Sequence, residues 1–170
     1  MDEVTSYECR SCGERHEGIP FSYGTVAPAH WNDSLAADER GVLTEDLCVI
    51  RGEHFFVRAR IVIPVIDADQ EFDWGVWVSL SQTNFARTHE LWTTPGRERE
   101  PPYFGWLSTE IPIYHPTTLS LKTHVHTQPV GRRPLVVLEP TDHPLAVEQR
   151  TGITVARVQR IAEEVLHLQP

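Results

Sequence analysis

The chain has 170 residues, of which 40% are hydrophobic and 23% are charged, and this length and composition are typical of one globular domain with a buried core. Its formal net charge of −9 argues against a nucleic-acid partner, because affinity for phosphate backbones comes mainly from cationic side chains. No stretch approaches the roughly 20 apolar residues of a membrane span, and the acidic first residues do not resemble a secretory signal, so we expect a cytoplasmic protein without a membrane partner.

Glycine, proline and the first two cysteines punctuate the start of the chain, whereas strand patterns follow. We expect a single domain over residues 1–170. Within it, residues 1–30 form a knuckle and loops, residues 44–140 are mainly strands with one helix, and residues 141–170 form a C-terminal helical segment.

Strand patterns dominate the middle of the chain. Asn32, Asp33 and Ser34 offer N-cap side chains for a short helix that ends at Gly41. The segments EDLCVI and HFFVRARIVIPVI then predict a hairpin, and FDWGVWVSL predicts the next strand. Connections this short cannot form parallel crossovers, so we expect an antiparallel sheet. In the first long strand, alternation places Phe55, Val57, Ala59, Ile61 and Ile63 on one face and Phe56, Arg58 and Arg60 on the other. In the next it places Trp74, Val76, Val78 and Leu80 on one face and Trp77 and Ser79 on the other.

Helix signals flank the later strands. Ser81 caps a predicted helix through QTNFARTHELW, and Thr154 caps an amphipathic helix near the end of the chain. Between them, YFGWLSTE, TLSLKTHVHT and PLVVLE predict further strands. These elements indicate an α+β fold, in which an antiparallel sheet packs one face against helices and carries an N-terminal cysteine knuckle.

The stretch CRSCG places Cys9 and Cys12 two residues apart, and the glycine that follows permits the turn needed for both sulfurs to face one ion. A structural zinc site requires four ligands, and His16 and Cys48 complete a predicted Cys3His set. His30 and His54 compete for the fourth position. The alternative is that Cys9 and Cys12 are free thiols in a loop and that Cys48 is a small buried hydrophobe, and for Cys48 alone this is the favoured interpretation. A redox pair at Cys9 and Cys12 is a further option. The redox pair is disfavoured because such pairs normally begin a helix.

A second cluster of candidate ligands lies in LKTHVHT and the segment after it. Alternation places His124 and His126 on one strand face, where they can share a metal with Glu139, Asp142 or His143. Such a site supports a metal-dependent hydrolase, with a carboxylate or imidazole as third ligand or general base. The alternatives are an ordinary polar strand surface for the two histidines and a helix cap for the segment TDHP.

Several cationic and aromatic side chains fall on polar strand faces. They are Arg58, Arg60, Trp77 and Lys122. If those strands are neighbours, the side chains form a patch suited to a small anionic ligand or to an acidic partner protein.

Six motifs distributed along the chain carry a resemblance to a known family. They are CRSCGERHEG, DLCVI with EHFFVRA, WGVWVSLS with a following NF, PYFGWL, LKTHVHT, and LEPTDHPLAVEQRTGIT. Together they resemble a bacterial family of domains of unknown function, the one numbered twenty-one ninety-nine, from about Tyr7 to the last helix. The resemblance implies a bacterial single-domain protein, and because the family has no assigned activity it implies no catalytic residue.

These observations favour a noncatalytic, zinc-stabilised domain that binds a protein or a small ligand. Two other functions stay open. One is the metal-dependent hydrolase centred on His124 and His126, and the other is an acidic immunity-like or antitoxin-like module, which small size and negative charge suggest.

Overall fold

The computed structural model describes residues 6–168. The described strands are β1 (Ser6–Glu8), β2 (Arg15–Glu17), β3 (Ser22–Gly24), β4 (Val42–Leu43), β5 (Leu47–Ile50), β6 (His54–Ile63), β7 (Phe72–Leu80), β8 (Tyr103–Leu107), β9 (Lys122–His126) and β10 (Leu135–Leu138). The described α-helices are α1 (Gln82–Glu90), α2 (Pro144–Thr151) and α3 (Val155–Leu166). The fold is therefore α+β, as the sequence predicts.

The main sheet closes on itself into a five-stranded barrel. Around the ring the order is β7, β8, β9, β10 and β6, and β6 pairs again with β7. The consecutive pairs from β6 to β10 are antiparallel, but β10 closes the ring by pairing with β6 in parallel, with Leu135 opposite Arg60. The expectation of an entirely antiparallel sheet is therefore wrong for this pair of strands. That expectation came from short connections, and β6 and β10 are far apart in the chain, so the argument does not apply to them.

The two long strands β6 and β7 make this arrangement possible, because each pairs with two different strands along one of its edges. The first half of β6 pairs with β5, and the second half pairs with β10. In the same way, β7 pairs with the short parallel strand β3 near its start and with β8 near its end. The barrel therefore continues on both sides into short flanking strands.

The barrel interior forms the main hydrophobic core, and the predicted alternation of β6 and β7 is confirmed there. The inward residues of these strands are Val57, Ala59, Ile61, Ile63, Trp74, Val76, Val78 and Leu80. Apolar residues of α2 and α3 join the same cluster: Leu145, Ala146, Val158, Ile161 and Ala162. The C-terminal helices therefore pack onto the same core as the barrel interior.

A second hydrophobic cluster lies on the outer face of β5, β6 and β7. It contains Leu35, Cys48, Ile50, Phe56 and Trp77. A short 3-10 helix, Asp33–Ala37, supplies Leu35, so this segment covers a strand face that alternation alone would leave exposed.

Helix caps follow the sequence closely at three positions. The side chains of Asn32, Ser81 and Thr154 each accept a hydrogen bond from a backbone N–H in the first turn of the following helix. Among residues 6–168, no helix is long and apolar enough to cross a membrane.

Candidate metal centre

The N-terminal knuckle is a hairpin of β1 and β2, whose connecting turn carries the two cysteines. Cys9 follows β1, and its backbone pairs with Glu14 and Gly13 across the turn at N···O distances of 2.8 Å. Gly13 has φ of 72°, a left-handed conformation that glycine adopts without steric cost. His16 lies on β2 opposite Tyr7. The turn therefore holds both thiols and this imidazole on one small hairpin.

The C-terminal helix brings a fourth donor to this hairpin. His167 is the C-cap of α3, and its Nε2 lies 3.1 Å from the Cys9 sulfur. The His16 Nε2 lies 3.3 Å from the Cys12 sulfur. One ligand atom from each of these four residues lies within 4.8 Å of every other. We refer to Cys9, Cys12, His16 and His167 as the Cys2His2 group.

The local environment favours a thiolate at Cys9. Burial alone would raise the pKa of this thiol, but hydrogen bonds from the backbone N–H groups of Cys12 and Ser11 and from the His167 ring outweigh burial and lower the pKa to about 6. At Cys12, the backbone N–H of Glu14 favours the thiolate, yet desolvation and the adjacent Cys9 sulfur together raise the pKa. The pair is therefore asymmetric, with the buried sulfur as the stronger acid.

The donor set and its spacing suit a tetrahedral zinc ion. Zinc bonds of about 2.3 Å to sulfur and about 2.0–2.1 Å to nitrogen place tetrahedral ligands about 3.3–3.8 Å apart. The two sulfur–nitrogen contacts, at 3.1 and 3.3 Å, need only a small expansion to accept the ion. Two thiolates and two imidazoles also match a common structural site. The Cys2His2 group can therefore hold a metal with four protein ligands.

The fourth member of the group is His167 and not the predicted Cys48. Cys48 is fully buried among apolar side chains of the second cluster and is not part of the group, and burial raises its thiol pKa to about 11. This placement matches the alternative in which Cys48 is a small hydrophobe. Of the two competing histidines, His30 stacks on Phe56 with ring centroids 5.9 Å apart, and His54 is exposed at the start of β6.

Sequence reasoning missed His167 because it lies 158 positions from Cys9. No ligand spacing in a zinc motif spans such a distance, and the residue sits at the end of a helix whose pattern indicates only packing. The one available signal was a histidine just past the apolar stripe of α3. Placing it required knowledge that α3 returns to the knuckle.

The second predicted cluster is only partly assembled. His124 and His126 share the predicted outward face of β9, and the His124 Nε2 lies 3.2 Å from an Oε1 atom of Glu139. These two side chains remain 43% and 35% exposed. Within the described chain, the Cys2His2 group alone brings together three or more candidate ligands. The His124 and Glu139 contact is therefore a surface hydrogen bond without a third candidate ligand.

The remaining members of that cluster have other roles. His143 is the N-cap of α2, where its Nδ1 accepts a hydrogen bond from the Leu145 backbone N–H at 3.1 Å. Its Nε2 lies 2.8 Å from the Pro116 carbonyl oxygen and donates to it. Asp142 is exposed beside it. The segment therefore caps α2 as predicted, but the cap is the imidazole of His143 and not the expected Thr141 or Asp142.

The predicted cationic and aromatic patch does not form as one surface. Trp77 is fully buried in the second cluster, and its Nε1 donates to the Thr25 carbonyl. Lys122 lies on β9, separated from β7 by β8. Arg58 donates to the Glu45 carbonyl and has a buried Nε without a hydrogen-bond partner. Arg60 alone among the four lines a large cavity.

Comparison with known proteins identifies a family. The family model described as "Uncharacterized protein conserved in bacteria (DUF2199)" matches residues 8–153. This range includes Cys9, Cys12 and His16 and ends before α3. No match to the chain was found among curated proteins or among solved structures. Because the family model covers most of the chain, the protein belongs to this uncharacterised bacterial family.

Proposed function

We propose that this protein is a noncatalytic binding domain whose N-terminal knuckle is held to its C-terminal helix by one zinc ion. The observation that carries the proposal is the convergence of two sulfurs and two ring nitrogens within 4.8 Å of one another. These are the atom types and the number of ligands of a structural zinc site.

Four protein ligands fill a tetrahedron, and this supports a structural role for the ion. Catalytic zinc sites normally have three protein ligands and leave the fourth position to water or substrate. In the Cys2His2 group no position remains for a reacting molecule. The ion would therefore contribute to folding, because it binds the folded arrangement and not the unfolded chain.

The ion would also join distant parts of the chain. Three ligands come from the hairpin of β1 and β2, and the fourth comes from the end of α3. The ion would therefore hold positions 9 and 167 together in the folded state, and it would be released when the chain unfolds. With free zinc at about 1,000 times the dissociation constant, the ion would stabilise the folded state by about 4 kcal/mol.

The binding role is supported by the barrel and its cavity. A cavity of about 830 Å³ opens beside β6, β9 and β10, lies within the size range of small-molecule sites, and is lined by several arginines. A small anionic ligand is thus favoured over a protein as the bound partner.

Substitution of cobalt for zinc tests the ligand set. A Cys2His2 site predicts a tetrahedral cobalt spectrum with charge-transfer bands from two thiolates. We expect the Cys48→Ala variant to keep this spectrum and His167→Ala to alter it. His167→Ala should also weaken metal affinity by more than about 100-fold, because even residues that only orient a ligand contribute roughly 10–100-fold.

The matched control is His54→Ala, which removes an exposed imidazole outside the Cys2His2 group and should leave the spectrum and affinity unchanged. Loss of a thiolate band in Cys48→Ala would instead establish a three-cysteine site and overturn the proposed ligand set. A native protein that folds fully and binds neither metal would overturn the zinc role altogether.

A further inference from the structure

A cavity of about 830 Å³ lies between the end of α1, the loop before β10 and the adjoining edges of β6 and β9. Its location follows from the barrel topology, because β6 changes partner there from β5 to β10. The volume falls in the range of about 300–1,000 Å³ that small-molecule sites occupy.

One wall of the cavity carries a buried cation without a counter-charge. Arg97 is only 7% exposed, and its guanidinium donates to the carbonyl oxygens of Trp92, Gln128, Pro129 and Arg132 at 2.8, 2.8, 3.2 and 3.1 Å. Among the ion pairs of residues 6–168, none includes this side chain. Four of its five N–H groups thus have acceptors, but its positive charge faces only carbonyl dipoles and the Trp92 ring, whereas buried charges are normally paired.

With Asp73, which pairs with Arg60 from outside the lining, the charged groups at the cavity carry an excess of one positive charge. Four arginines and two acidic residues line it, and they are Arg60, Arg97, Arg132, Arg133, Asp46 and Glu71. Arg133 pairs with Asp46 at 2.9 Å, whereas the Arg132 side chain forms no ion pair within the described chain. Arg60 pairs with Asp73 at 2.6 Å outside the lining. This local excess is notable in a chain of net charge −9, and it favours an anion.

The remaining walls are largely apolar. Val57 and Val125, two core residues that are each 2% exposed, line the cavity. Trp92 lies at its rim, 36% exposed, with the Arg97 guanidinium 5.5 Å from its ring centroid. Apolar walls with a few convergent polar groups are typical of sites for ligands that have an apolar body.

We propose that this cavity binds a small amphipathic anion, in which a carboxylate or phosphate group is joined to an apolar body. The anionic group lies toward Arg97 and Arg132, and the apolar body lies along Trp92 and the two core valines. This inference rests on the proposed binding function and specifies its ligand class, and it does not depend on the metal.

A pair of fluorescent probes tests it on the full-length, zinc-loaded protein. The anionic probe 1-anilinonaphthalene-8-sulfonate and the neutral N-phenyl-1-naphthylamine share the same rings and differ in the sulfonate. We expect the anionic probe to bind at least about 10-fold more tightly, and we expect Arg132→Gln to remove most of that preference. The matched control is Arg160→Gln, which removes the same charge from an exposed position on α3.

Competition then identifies the head group. Octanoate and octyl phosphate should each displace the anionic probe at concentrations at which 1-octanol does not, and the more effective one indicates the natural head group. Equal affinity for both probes, equal displacement by 1-octanol, or indistinguishable Arg132→Gln and Arg160→Gln variants would overturn the inference.

The zinc content of the same sample separates the two proposals. One zinc per chain without a preference for the anionic probe would overturn the ligand class alone. A preference for the anionic probe in a metal-free folded protein would overturn the zinc role and support the cavity.

Discussion

At Gly105 the backbone of β8 lies too close to β7 to admit a side chain, and Gly105→Ala should destabilise the barrel strongly. A Cβ atom at this position would lie 2.6 Å from the backbone oxygen of Ser79 and would also overlap Cγ1 of Val78. Ordinary van der Waals contact begins near 3.4 Å, so the two strands would have to separate by roughly 0.8 Å. The register between these strands covers only two residue pairs, so a separation at this point would disrupt most of their pairing.

Overpacking of a core typically costs about 1–3 kcal/mol. Because backbone atoms block the added methyl group at Gly105, we expect the free energy of unfolding to fall by about 3 kcal/mol, near the upper end of this range. For a chain of this size that lowers Tm by roughly 6–12 °C. Thermal unfolding followed by circular dichroism measures this change.

The control is Gly24→Ala on β3, where an added Cβ meets its nearest atom at 3.5 Å, and where φ is not positive. This variant should change Tm by no more than a few degrees. A Gly105→Ala protein with the Tm of the wild type would refute the reasoning that close approach of these strands closes the barrel.

Two further predictions concern buried groups. Tyr114→Phe should lower the free energy of unfolding, measured with urea, by about 1–3 kcal/mol. The buried hydroxyl donates to Glu148 at 2.9 Å, and its loss leaves that carboxylate without this partner. An unchanged urea midpoint would contradict this role. After zinc is chelated, iodoacetamide at pH 8 should modify the thiols of the Cys2His2 group before Cys48, whose pKa burial raises to about 11. Mass spectrometry of the digested protein locates the label, and early labelling of Cys48 would show that its cluster is open.

The sequence predicted local features well because their causes are local. Alternation along β6 and β7 identified the inward residues, and the hydroxyl side chains of Ser81 and Thr154 identified two helix starts. Short connections also predicted the antiparallel order of β5, β6 and β7. Each of these depends on residues close together in the chain.

Barrel closure and the covered outer face depend on distant residues, and no local pattern predicts them. The parallel pairing of Leu135 with Arg60 joins strands that are separated by β7, α1, β8 and β9 in the chain. Alternation correctly placed Trp77 opposite the core face, but it could not predict that Leu35 and its neighbours cover that face. Trp77 is therefore a buried core residue and not part of a ligand-binding patch.

The metal ligands likewise include residues that are close together in the chain and one that is distant from them. Cys9, Cys12 and His16 share one hairpin, so their short spacing predicted that they converge. The fourth member comes from α3, and only the packing of that helix against the knuckle brings His167 to the sulfur of Cys9. The choice of Cys48 failed because residue type alone does not distinguish a ligand from a buried hydrophobe.

The zinc content of the protein tests the central claim most directly. Elemental analysis is carried out on protein purified without a metal-binding tag, beside a Cys9→Ser, Cys12→Ser double variant and the Cys48→Ala control. The account predicts about one zinc per chain in the wild type and in Cys48→Ala, and none in the double variant. A folded wild-type protein without zinc, or a double variant that keeps it, would contradict the account.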